Sequence, residues 1–331
     1  MANGQAIRIN QSMVVPFELL TKEGQVSKGE IEQEKIVWPY RLAVPILYAL
    51  GLYVFVKRAL YQFFGGKDSK PNTHLWFIDG ASINSRRIKD GAATWRALDA
   101  VYNFNGVGEG DGWIARKLDK YWLNIWNAQA VRNRLKIVKR ELTLAILDIA
   151  KRKGRTVRIL SLAAGSGQGV IEVISRMAKV GIKCNVLLAD FDDSALAHAH
   201  FLAEKHGVSD SIITKKVDLV IKGGITPFDQ WLGDFKPDII EMCGLIDYLR
   251  DKRIVQMVNE IHNYLQPGGW FMTCHIHPNR ESYFLLYQEN WWMLYRTREQ
   301  LKQLVIDGGF NPPRLETEFH RIHTVAIVQK Q

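Results

Sequence analysis

The most constraining feature of this chain lies between residues 157 and 190. A short apolar run, VRILSLA (157–163), passes without a break into Gly165-Ser166-Gly167-Gln168-Gly169. Apolar positions then recur at helical spacing in VIEVISRMAKV, and a second apolar run, NVLLAD, ends at Asp190. An apolar run rich in β-branched residues predicts a strand buried on both faces, as in a parallel sheet. Glycines at its exit predict a tight turn and a backbone that a ligand can approach closely. The alternation continues to the end of the chain. SIITKKVD (211–218), DIIEMCG (238–244), GWFMTCHI and HTVAIVQK (323–330) read as strands, with helical patterns between them. This predicts an α/β fold with a doubly wound, mostly parallel sheet. Ligands of such sheets bind beyond the carboxyl ends of the strands.

Asp190 closes the second strand about twenty residues past the turn, where a carboxylate can accept hydrogen bonds from both hydroxyls of a ribose. The alternative is a cap for the following helix, a task open equally to Asp192 or Asp193. A dinucleotide fingerprint would need Gly or Ala at position 170, but Val170 stands there, which argues against a dehydrogenase.

LSLAAGSGQG, LLADFDD, KKVD, PDIIEMCGLIDYL and LQPGGWFMTCHI together make residues 154–331 resemble the class I S-adenosylmethionine (SAM)-dependent methyltransferases. Three further pieces are NAQAVRNRLKIVKREL (127–142), GLIDYL (244–249) and HPNRESYFLLYQENWWMLYRTREQL (277–301). They are similar to a bacterial group of methyltransferases that includes makers of hydroxy-fatty-acid methyl esters, which methylate a lipid carboxylate. The resemblance implies a Rossmann-like methyltransferase sheet with SAM as cofactor. It implies that Ala164, Gly165, Gly167 and Gly169 shape the methionine and ribose pocket, that Asp190 binds the ribose, and that Phe191 stacks near the adenine. Asp218 is expected near the adenine amino group, and Gly244, Leu245 and Asp247 beside the sulfonium. For Asp247 a helix cap or a link to an Arg is the alternative. One departure is Ala163, where the family usually carries an acid that helps hold the methionine amino group. Ser161, Glu172 or a backbone carbonyl is expected to substitute.

Methyl transfer from a sulfonium asks chiefly for position and orientation. A carboxylate acceptor needs no base; an amine, phenol or alcohol does. His275 and His277 leave the fifth predicted strand at its carboxyl end and alternate, so both point to one face. Each is a candidate substrate-side base or a structural histidine. No metal is expected, because Glu281 is the only acid near this pair. Arg280 is a candidate partner for a substrate carboxylate or for Glu281 or Glu289. The aromatic segment YFLLYQENWWMLYR (283–296) is read as a lid helix with some rings lining a pocket.

The formal net charge of +10 is unevenly distributed. Residues 1–160 hold 26 Lys/Arg and 14 Asp/Glu, a net of +12; residues 161–331 hold 18 and 20, a net of −2. The densest stretch, Arg132 to Arg158, has ten basic and two acidic residues. It reads as an anion-attracting face or as a solvated helix face. Leu42 to Val56 is uncharged over 15 residues and holds Pro45 and Gly51. It reads as a buried or substrate-covering helix, as a membrane-surface segment within 36–64, or, at its short length, as a span. Residues 1–35 show no secretory pattern. The three scattered cysteines, none in a CxxC pair, fit a reducing, cytoplasmic setting, with the inner face of the membrane as a variant.

Three regions are expected: an N-terminal segment with an apolar helix (1–70), a helical cap or substrate region (71–153) and a SAM-binding catalytic domain (154–331). The leading function is a SAM-dependent methyltransferase acting on a small-molecule or lipid-like acceptor, with a carboxylate as one option. The alternatives are an RNA methyltransferase using the basic stretch 132–158 and a non-catalytic SAM-binding protein. The sequence leaves the oligomeric state open.

Overall fold

The structure, a computed structural model, describes residues 6–8, 14–16, 32–35, 41–65 and 74–331. Four helices build the cap: α1 (Ala43–Phe63), α2 (Ile83–Asp90), α3 (Trp95–Tyr102) and α4 (Gly112–Trp122). A longer helix, α5 (Trp126–Lys153), joins the cap to the sheet and stops at Gly154, whose φ of 59° is left-handed.

The strands of the main sheet are β1 (Val157–Leu162), β2 (Cys184–Asp190), β3 (Ile212–Lys216), β4 (Ile239–Cys243), β5 (Trp270–Ile276), β6 (Arg314–Thr317) and β7 (His323–Gln329). They form one sheet in the order β6-β7-β5-β4-β1-β2-β3. The first five strands run parallel, and β7 lies antiparallel between β5 and β6, with His323 opposite Ile276 and Gln329 opposite Trp270. The sequence showed β7 alone of the reversed pair. β6 escaped because RLET is four residues long and mostly polar.

Helices α6 (Gln168–Lys179) and α7 (Asp193–Lys205) cover one face of the sheet together with α5. Helix α8 (Asp251–Tyr264) covers the other face. The chain then adds α9 (Ser282–Tyr287) to the cap and α10 (Arg298–Asp307) to the α8 side. Ile137 through Ala150 of α5 are buried in the same core as β1 and β2. Residue 154 therefore does not separate two cores.

The cap has its own core, in which Leu47, Ile78, Val101, Trp122, Leu123 and Ile125 meet Phe284 and Leu285 of α9. Buried carboxylates fix its parts. Asp119 accepts hydrogen bonds from Ser82 Oγ (2.7 Å), Asn84 N (2.9 Å) and Glu109 N (2.9 Å), tying α2 and the 103–111 loop to α4. Glu281 accepts from Trp126 N (3.1 Å) and Asn127 N (2.8 Å), so it caps the free amides at the start of α5.

The expected lid helix over 283–296 is one and a half turns long. It ends at Tyr287, and Asn290 adopts φ 53°, which a continuing helix does not allow. The apolar segment is helical over 21 residues, with Pro45 in the first turn, where no backbone donor is needed. It is not a core helix. Leu47, Gly51 and Val54 are buried, and most of its other side chains are exposed. Residues 36–40 of the predicted 36–64 segment lie outside the described residues.

Candidate active site

The turn after β1 begins with left-handed backbone at Ala163 (φ 50°), Gly165 (φ 55°) and Gly167 (φ 61°), the last of which opens α6. A Cβ on Gly167 would sit 2.8 Å from Leu188 Cδ1, so side chain and conformation both oppose a larger residue here. Asp190 faces this turn. Its Oδ2 accepts from Gly165 N at 2.8 Å and its Oδ1 from Asp192 N at 2.9 Å. Capping of α7 falls instead to Asp192, which accepts from Ser194 N at 2.8 Å. Trp95 of α3 closes over the turn, its Cβ 3.3 Å from the position of a Cβ on Gly165. Its indole donates to Ser194 Oγ (3.1 Å) and stacks on His198 at 4.5 Å.

A cavity runs from this turn to the cap. Ala164, Gly165, Gly167, Gly169, Asp190, Phe191, Gly244, Leu245 and Asp247 all stand on its wall. Gly244 has φ 109°, and a Cβ built there would meet nothing within 4 Å. The far chamber is apolar, lined by Val131, Trp122, Ile125, Phe284, Leu285 and Met293. Trp291 belongs to the same wall and donates from Nε1 to Tyr248 Oη at 2.6 Å.

Four of the predicted site residues lie off this wall. Asp218 is exposed and accepts from Val220 N (3.1 Å), closing its own turn. His277 donates from Nδ1 to the Arg296 carbonyl (2.6 Å), and its Nε2 contacts Thr324 Oγ1 (2.5 Å). Burial pushes its pKa down, and with both nitrogens engaged it is a structural histidine. Arg280 lies over the Trp126 ring at 5.0 Å. His275 is fully buried, with Nδ1 2.5 Å from Asp247 Oδ1. Asp247 also accepts from Ile276 N at 3.1 Å. His275 thus reaches the cavity only through Asp247.

Several wall residues carried no role in the sequence reading. Arg134 of α5 is buried, and its Nη2 donates to Tyr102 Oη at 2.7 Å. Glu241 of β4 is buried beside β1, where Ser161 Oγ donates to its Oε1. Burial pushes the Glu241 carboxyl upward, and the charge of nearby Arg134 opposes that. Glu172, one of the expected substitutes for the acid missing at 163, turns away to Lys139 (2.7 Å) and Gln168 (2.8 Å). His323 lines the cavity with both ring nitrogens free of hydrogen-bond partners. Burial first, and Arg134 second, push its pKa well down, so the ring is neutral. Glu289 is buried on the chamber wall with both carboxylate oxygens unpartnered, and burial pushes it up to about 8. One sequence signal was available: Arg134 and Glu241 each place a charge within an otherwise apolar stripe or strand.

The basic stretch 132–158 is largely neutralised within the fold. Seven of its ten cations form ion pairs: Arg132 and Lys136 with Glu34, Lys139 with Glu172, Arg140 with Glu141 and Glu316, Arg152 with Asp148, and Lys153 and Arg155 with Asp238.

The residues at the turn fit a SAM nucleoside and amino acid. Gly244 leaves open space opposite the turn, Asp190 keeps free lone pairs, and a buried cation and a buried acid stand on the same wall. A doubly wound sheet with this reversed last strand, glycine turn and acid is the Rossmann-like methyltransferase architecture expected from the sequence. The chain belongs to the family described as "Putative methyltransferase", whose sequence model spans residues 77–330. The uncharacterized protein YnbC of Escherichia coli K12 is 22% identical over 287 residues, covering 84% of this chain and 45% of that protein. The chain thus spans about half the length of the curated relative it matches. A Bordetella parapertussis structure, described as a possible exported protein, superposes with a TM-score of 0.62 at 15% identity, covering 88% of this chain and 96% of that one. An O-methyltransferase family protein from Burkholderia thailandensis gives 0.48 at 13% identity, covering 87% and 71%.

Proposed function

We propose that this protein methylates a small, apolar, lipid-like acceptor at an ionised oxygen, with a carboxylate as the acceptor group. The observation that carries this reading is a single cavity with a polar turn at one end and an apolar chamber at the other. When bound, SAM supplies a methyl group already activated on a sulfonium, transferred by in-line displacement. Asp190 holds the ribose hydroxyls, and the amides and open backbone of the turn receive the nucleoside. Arg134 takes the methionine carboxylate and Glu241 the methionine ammonium. Glu241 thereby fills, from the neighbouring strand, the role left open by Ala163. Asp247, oriented by His275 and the Ile276 amide, borders the reacting centre. The chamber walls hold the acceptor chain and exclude water, and an acceptor carboxylate needs no base.

His323 favours a second reading. A neutral imidazole with open nitrogens on the wall can accept a hydrogen bond from a hydroxyl acceptor and orient its oxygen. Mass spectrometry of lipid and small-molecule extracts incubated with the protein and deuteriomethyl SAM separates the two. A labelled product that alkaline hydrolysis strips of its methyl group supports the carboxylate. An alkali-stable ether, lost in His323→Asn, supports the hydroxyl. No labelled product in any extract defeats both.

A further inference from the structure

Helix α1 has the wrong side facing out. It docks on α9 through a narrow stripe, in which a Cβ on Gly51 would lie 3.1 Å from Tyr283 Cβ and Phe55 meets the Tyr287 ring at 5.2 Å. Leu47 and Val54 share that stripe, and Arg58 ends it over Trp292 at 4.9 Å. At 3.6 residues per turn the opposite face carries Leu42, Ile46, Tyr53, Val56, Leu60 and Phe63. All are exposed, Phe63 by 83%. A surface helix of a soluble protein presents charges there, whereas the only charge beside this face is Lys57. α1 includes a stretch long and apolar enough to cross a membrane, and only 17% of it is buried, so it is not a core helix either.

From this geometry we infer that α1 is an in-plane anchor, buried lengthwise in the surface of an anionic lipid bilayer. Residues 41–65 hold no acid, and their two exposed cations, Arg41 and Lys57, suit anionic headgroups over an apolar boundary. A spanning orientation conflicts with the docking stripe. The stripe runs from Leu47 to Arg58, so the protein body lies along most of the helix and would have to enter the bilayer with it. The apolar face extends about 32 Å at ~1.5 Å per residue, enough for a long contact parallel to the surface. This inference stands apart from the acceptor reading, because neither the chamber nor SAM enters it.

The test is flotation of the full chain with vesicles of phosphatidylglycerol and phosphatidylcholine, and with phosphatidylcholine alone. The chain is expected to float with the anionic vesicles. The triple variant Ile46→Glu/Tyr53→Glu/Leu60→Glu should lose at least tenfold in bound fraction, with SAM affinity by calorimetry within twofold of the parent. Lys57→Glu, which leaves the apolar face intact, should weaken only the preference for anionic vesicles. Absence of flotation, or equal flotation of the triple variant, overturns the anchor. So does a dimer in ultracentrifugation that the triple variant dissociates without any vesicle binding, since that assigns the face to a second copy. Resistance of the bound chain to alkaline carbonate extraction overturns the in-plane orientation.

Discussion

The two ends of the cavity are built by different means. The turn end comes from about thirty consecutive residues, 163–192, and uses mostly backbone amides and one carboxylate. Its carboxylate, Asp190, is hydrogen-bonded by the amides of Gly165 and Asp192. The chamber end gathers α4, α5, α9, the loop after α9 and β7, and it keeps buried polar groups short of partners: Glu289 and His323. Leaving such groups unpaired costs stability. The contrast shows where the molecule gives up stability, and that place is the chamber, where an acceptor would supply the missing partners.

Arg134→Met should have the largest effect. Removing the cation from a buried carboxylate pair costs roughly 2–5 kcal/mol, so SAM affinity by calorimetry should fall about a hundredfold while the fold persists. Unchanged SAM affinity with a raised acceptor KM would move Arg134 to the acceptor and redraw the line between the two ends. Asp190→Ala comes next, with a loss of ~1.5–3 kcal/mol for charge-assisted hydrogen bonds, read in the same titration. Glu289→Gln should instead stabilise the protein, on the order of 2 kcal/mol by pH 8. Its carboxyl, pushed up to about 8 by burial and by Asp79 and Asp90 against Lys89, stays protonated in the fold while the unfolded chain ionises above ~4.5. The stability tied to the protonated form is full at low pH and is lost as pH rises through about 8. Thermal melts should therefore show the advantage of Gln growing from pH 5 to pH 8; a gap independent of pH would remove Glu289 from the unpaired groups. Asp192→Ala should be the mildest, about 1 kcal/mol of cap energy. SAM affinity should stay unchanged, which separates the two neighbouring acids.

The same contrast explains what the sequence made legible. Strand, turn, helix and Asp190 are neighbours along the chain, so their pattern survives without coordinates. His275 and His277 were read correctly as leaving β5 at its carboxyl end, but not their fate, because Thr324, the Arg296 carbonyl and Asp247 arrive from elsewhere in the chain. The basic run 132–158 looked like a free surface because most of its partners, Glu34, Glu172, Asp238 and Glu316, are far away in sequence. Helices α2 to α4 were not delimited within the expected helical region 71–153, because they are short and buried Asp119 joins α2 to α4 across the chain. The docking of α1 was invisible for the same reason, since α9 lies more than two hundred residues downstream.

Helix α9 is a thin partition. Phe284 and Leu285 touch the chamber, while Tyr283 and Tyr287 touch the helix outside it. Six residues leave little material to absorb a displacement. A contact that moved α1 would bear on the chamber wall through this partition, and any change it made in acceptor affinity would return as an equal change in its own.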